Sequence, residues 1–135
     1  SHQQIQTTHL TGWLTLPSLK QHKAQYHKNK MFLKCIAFEQ CNFNLDWAIT
    51  ILFYCAVDLV EIGFAKKGMH SNSHWERDKK IITDKEFDKI CDEFFALKRA
   101  SMKYRYHCPK KPDRLYHKDL CSSLEKIEQM YKEVV

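Results

Sequence analysis

An all-α bundle is the fold class this sequence predicts, and three observations predict it. Apolar residues recur at steps of three and four through almost all of the 135 positions. The three glycines and three prolines sit at segment ends. The stretch FNLDWAITILFYCAVDLVEIGF is apolar nearly all round, as a helix surrounded by other helices must be. With 44% hydrophobic residues the chain fills one core and not two. Residues 1–135 therefore read as a single domain, an antiparallel up-and-down four-helix bundle with an additional short helix. An irregular N-terminal arm of about 15 residues precedes it.

The first helix opens at Pro17, a residue suited to a first helical turn, and runs to about Gln40 with Leu19, Tyr26, Leu33 and Ile36 facing inward. Asn44 caps the second, which stops at Gly68. Ser73 and Glu76 form a capping box for a short helix ending near Ile82. Thr83-Asp84-Lys85-Glu86 reads as a second box, opening a helix with Phe87, Ile90, Phe94, Leu97, Ser101 and Tyr104 or Arg105 on one side. Pro109 and Pro112 end that helix. Asp113 caps the last, whose Leu120, Leu124, Ile127 and Tyr131 form a clean amphipathic stripe.

Within the oily second helix, steps from Trp47 reach Thr50, Tyr54, Asp58 and Glu61, so one polar stripe interrupts the apolar surround. A carboxylate there needs a partner, a wet cleft or a subunit interface, because burying it alone is too costly. A stripe of this kind also suits a twofold seam, which predicts a homodimer. No apolar run reaches the roughly 20 residues that span a bilayer, and Asp58 and Glu61 interrupt the longest. The opening SHQQIQTTHL lacks the regions of a signal peptide. The expectation is a cytoplasmic protein without membrane contact. The six cysteines, with no C-x-x-C pair among them, fit buried free thiols, Cys55 and Cys91 in the core. His70 and His74 in HSNSH come nearest to ligand spacing, but four ligands are not apparent, so neither metal nor cofactor is expected.

Charge is uneven. Lys20, Lys23, Lys28, Lys30 and Lys34 precede the first acidic residue, Glu39. A second cluster, from Lys98 to Lys118, interleaves basic residues such as Lys103 and Arg105 with Tyr104, Tyr106, His107 and Tyr116. If the two share a face, the surface attracts phosphates and offers rings to unpaired bases, with Lys23, Lys30, Lys103, Tyr104, Tyr106 and His107 as the contact residues. The plain alternative is a solvated lysine-rich face.

The second helix DWAITILFYCAVDLVE, the glycine after it, the block HSNSHWER and the helix ending LKRASMKYRY together resemble the HEPN superfamily of small helical domains, over about residues 20 to 133. The most specific portion is H-x-x-S-H-x-x-R, supplied by His70, Ser73, His74 and Arg77. The resemblance implies a four- to five-helix bundle, frequently a homodimer, serving in RNA cleavage, antiphage defence, toxin-antitoxin pairs or nucleotide binding, with a nucleotidyltransferase as the antitoxin of some relatives.

The chain departs from that pattern in two places. Ribonuclease members carry an arginine and a histidine separated by four to six residues, whereas Arg99 and His107 here have seven between them. On a regular helix those two would point about 80° apart. Many relatives also have histidine where this chain has Asp58. An enzyme reading assigns base, acid and phosphorane-stabilising cation to Asp58, His70 or His74, and Arg77 or Arg105. A structural reading has Asp58 accept hydrogen bonds from Arg77 or Tyr104 while His70 and His74 order the loop. The expected function is an RNA- or nucleotide-interacting module, with ribonuclease activity as its enzymatic form and a catalytically silent, dimerising protein-interaction domain as the alternative.

Overall fold

A computed structural model describes residues 17–36, 45–107, 109–110 and 112–134, and every regular element among them is helical. These are α1 (Leu19–Ile36), α2 (Leu45–Lys66), α3 (His74–Thr83), a 3₁₀ turn (Phe87–Ile90), α4 (Cys91–Tyr106) and α5 (Arg114–Gln129). Asn44, residues 37–40 and the N-terminal arm lie outside the described residues.

The helix ends follow local chemistry, and two of them correct the sequence reading. α1 starts at Leu19 and not at Pro17, because Ser18 and Gln21 form a reciprocal box. The Ser18 hydroxyl accepts from the Gln21 amide at 3.2 Å, and the Gln21 side chain accepts from the Ser18 amide at 2.7 Å. Pro17 is thereby left outside the helix. Thr83 opens nothing. Its hydroxyl bonds back to the Lys79 carbonyl at 2.8 Å as the last residue of α3. The acceptor for the next turn is Asp84, whose carboxylate takes the amide of Glu86 at 2.8 Å, and α4 follows only after the 3₁₀ turn.

Other ends match their signals. Gly68, at φ 71°, closes α2 in a Schellman arrangement: the Met69 amide bonds to Phe64 at 2.8 Å and the Gly68 amide to Ala65 at 3.0 Å. Ser73 accepts from the Glu76 amide at 3.1 Å, while the Glu76 carboxylate takes the Asn72 amide at 3.1 Å. Asp113 caps α5 through the Tyr116 amide at 2.8 Å.

α2 is the hub, packing against α1, α4 and α5, while α4 also packs on α5. Among the described residues it is the one helix long and apolar enough to cross a membrane by length and composition, and 78% of its most apolar window is buried inside the fold. Its oiliness is that of a core helix. Phe53 meets Phe94 at 5.6 Å and Phe64 meets Phe87 edge-on at 4.7 Å. From α5, Leu120, Leu124, Ile127 and, just beyond it, Tyr131 close the core. Gly63 lies within α2 and not at a segment end. A side chain there would meet the Tyr131 hydroxyl at 2.5 Å and the Phe87 ring at 2.7 Å, so the missing Cβ is what lets those residues approach.

Candidate functional site

The phase of α2 places Thr50, Tyr54, Asp58 and Glu61 in one line, and each finds a hydrogen-bond partner. Thr50 donates to the Asp46 carbonyl at 3.2 Å. Tyr54 receives a hydrogen bond from Arg105 of α4 at 3.1 Å. Asp58 accepts from the Asn29 amide of α1 at 2.8 Å, and Glu61 from Arg77 of α3 at 2.8 Å and from the Ser71 hydroxyl. Only Trp47, at the start of the line, is open, with 62% of its surface exposed. From Thr50 onward the stripe is partnered within the chain itself.

The partners differ from those the sequence suggests. Asp58 is tied to Asn29 and not to Arg77 or Tyr104, and Arg105 turns to Tyr54. Arg77 instead forms a buried ion pair with Glu61, their side chains 13% and 6% exposed. A second nitrogen of Arg77 meets Nδ1 of His74 at 2.9 Å. His70 contributes its carbonyl, which accepts from Lys80, and its side chain is exposed. His22 and Asn29 escape sequence reasoning altogether. They stand seven residues apart on α1, either side of Tyr26 on its inward face, a signal hidden in a lysine-rich segment.

Electrostatics follows from this burial. Asp58 is pushed up to about 7, chiefly by desolvation, against the hydrogen bond from Asn29 and the charge of Arg77. Desolvation lowers His22, with Glu61 opposing and His70 and Arg77 reinforcing. His74 is lowered by desolvation first and then by the cations Arg77 and Lys98. Asp58 can therefore exchange a proton near neutrality, but its bond to Asn29 and the Glu61–Arg77 pair hold Asp58 and Arg77 in internal contacts. The site is built to tie α1 and α3 to α2.

Beyond the covered stripe the surface changes character. Asp46, Trp47, Thr50, Tyr104, Arg105 and Tyr106 line a groove of about 290 Å³. The Arg105 guanidinium lies 4.9 Å from the Tyr106 ring and 5.6 Å from the Tyr54 ring. No carboxylate pairs with it among the described residues. Tyr106 is 64% exposed. Next to this groove, Lys103 lies over the rings of Tyr104 and Tyr116, at 5.5 and 5.9 Å.

The remaining sequence candidates divide between seams. Lys30 pairs with Glu128 of α5 at 2.9 Å, while Tyr26 also donates to Glu128. Lys23 is half-buried on α1 and His107 is exposed just past α4. The structure thus brings Tyr104, Arg105 and Tyr106 together with Trp47, and leaves Lys23 and Lys30 on α1, where Lys30 faces α5. Cys35, Cys55, Cys91 and Cys121 are free thiols, Cys55 buried and Cys91 half-buried, while Cys41 and Cys108 lie outside the described residues. No cluster of metal-binding side chains occurs among the described residues. Comparison with protein-family models, with curated proteins and with solved structures returns no match.

Proposed function

We propose that this chain is a HEPN-like RNA- or nucleotide-interacting module of a toxin-antitoxin or antiphage defence system, and that it binds single-stranded RNA or nucleotide in the groove at Trp47, Arg105 and Tyr106. One observation carries the reading: an arginine with no carboxylate partner among the described residues lies 4.9 Å from the Tyr106 ring and donates to the Tyr54 hydroxyl, beside an exposed tryptophan. Rings of this kind stack on unpaired bases, and the guanidinium offers a charge for phosphate. The HEPN-like up-and-down arrangement is supported by pairings that run neighbouring helices in opposite directions: Phe53 against Phe94 with Phe64 against Phe87, and Tyr104 against Tyr116. Binding is favoured over ribonuclease activity because Asp58 is bonded to Asn29, Arg77 to Glu61, and His74 to Arg77.

Fluorescence anisotropy with a labelled single-stranded RNA tests it. Affinity should fall steeply as salt rises, and Arg105→Ala and Trp47→Ala should each weaken binding without preventing folding. Absence of binding at low salt overturns the reading. A second reading has its own observation: Met31 and Phe32, adjacent on α1, are 62% and 50% exposed, as for a dimerising protein-interaction domain. Light scattering decides it, since a dimer mass lost in Phe32→Ser would support that surface.

A further inference from the structure

The groove at Trp47 contains a residue that the charge argument does not use. Asp46 sits half-buried on its wall, in the first turn of α2. Its Oδ1 accepts the Trp47 backbone amide at 2.8 Å, which fixes the carboxylate in the first turn of α2. Oδ2 has no partner among the described residues. A carboxylate in an aromatic groove with a single arginine is unexpected for plain phosphate binding, because it repels the anion. It is well suited to something else.

Resting on the proposed binding role, we propose that the groove selects guanine, with Trp47 and Tyr106 receiving the flat base and Asp46 reading its Watson–Crick edge. An ionised carboxylate is only an acceptor. Guanine presents two adjacent donors on that edge, N1–H and the N2 amino group. Uracil presents one, N3–H, set between two carbonyl oxygens that a carboxylate repels. Adenine and cytosine each present an exocyclic amino group beside a ring nitrogen that is itself an acceptor, so a carboxylate that bonds one faces the lone pair of the other. Guanine alone matches an acceptor without an opposing lone pair. The Arg105 charge beside the groove then serves the attached phosphate.

The test compares four seven-residue RNAs, six uridines with G, A, C or U at the centre, against the full chain by anisotropy. The expected result is that the G heptamer binds about tenfold more tightly than the other three, the scale of one charge-assisted contact. Asp46→Asn keeps Oδ1 for the Trp47 amide but puts a donor in place of Oδ2. It should erase the G preference, so that the G and U heptamers bind alike. Trp47→Ala should weaken all four. Equal binding of the four heptamers by the wild type, with Trp47 still required, overturns guanine selection and leaves the binding role standing. Binding of none at low salt removes both. A G preference that persists in Asp46→Asn, with the melting temperature unchanged, overturns the assignment to Asp46.

Discussion

Arg77→Ala tests the ion pair that joins α3 to the central helix. The substitution leaves Glu61, its side chain 6% exposed, with the Ser71 hydroxyl as its remaining donor, and it also removes the contact to His74. Breaking a buried pair by deleting one partner costs about 3–5 kcal/mol, because a desolvated charge is left behind. A chain of this size has roughly 7–20 kcal/mol of folding stability, at about 0.05–0.15 kcal/mol per residue. The loss is therefore a large share but need not unfold the protein. With a urea slope of about 2 kcal/mol per molar, the unfolding midpoint should fall by about 1.5–2.5 M. Replacing both partners, as in Glu61→Leu with Arg77→Met, removes the orphaned charge and should recover most of that loss. A cost for Arg77→Ala below about 1 kcal/mol, the value of an exposed pair, would refute the reasoning. So would a double variant no more stable than the single one.

Two further outcomes follow from the same core. Burial raises the Asp58 carboxyl from 3.8 to about 7, so the folded state holds a proton that the unfolded state releases. Its contribution is complete below about pH 4 and is lost as pH rises through about 7, which amounts to at most about 4 kcal/mol. Asp58→Asn should flatten this slope, so urea unfolding at pH 5 and pH 8 should differ less in the variant than in the wild type; an equal slope in both would show that Asp58 is not its source. Gly63→Ala gains about 1 kcal/mol of helix propensity yet drives a methyl group into Tyr131 and Phe87, and it should lower stability by about 1–3 kcal/mol in thermal unfolding. A stabilised Gly63→Ala protein would contradict the close packing of α2.

What the sequence made legible were faces and caps. Leu120, Leu124, Ile127 and Tyr131 are buried together because a regular helix has one phase, and the Asp113 cap depends only on residues three apart. The line from Thr50 to Glu61 was legible for the same reason. Its partners were not. Helical spacing fixes which side a residue faces but not which helix covers that side, so the Asn29 bond to Asp58 and the Arg77 pair with Glu61 could be drawn only from the tertiary structure. The second capping box failed because Thr83 and Asp84 both carry capping oxygens, and the threonine hydroxyl turned back to its own helix. Trp47 read as one end of a polar stripe. Its place in a groove with Arg105 and Tyr106 depends on where α4 ends against α2.

The central claim is that single-stranded RNA occupies the groove at Trp47, and indole and guanidinium NMR signals test it most directly. On titration with the G-centred heptamer, the Trp47 indole N–H and the Arg105 Nε–H resonances should shift together and saturate at the affinity measured by anisotropy. The indole of Trp75, 70% exposed on α3 and outside the groove, should stay in place. Saturating binding that moves Trp75 or the α1 lysines while Trp47 and Arg105 remain still would contradict the account.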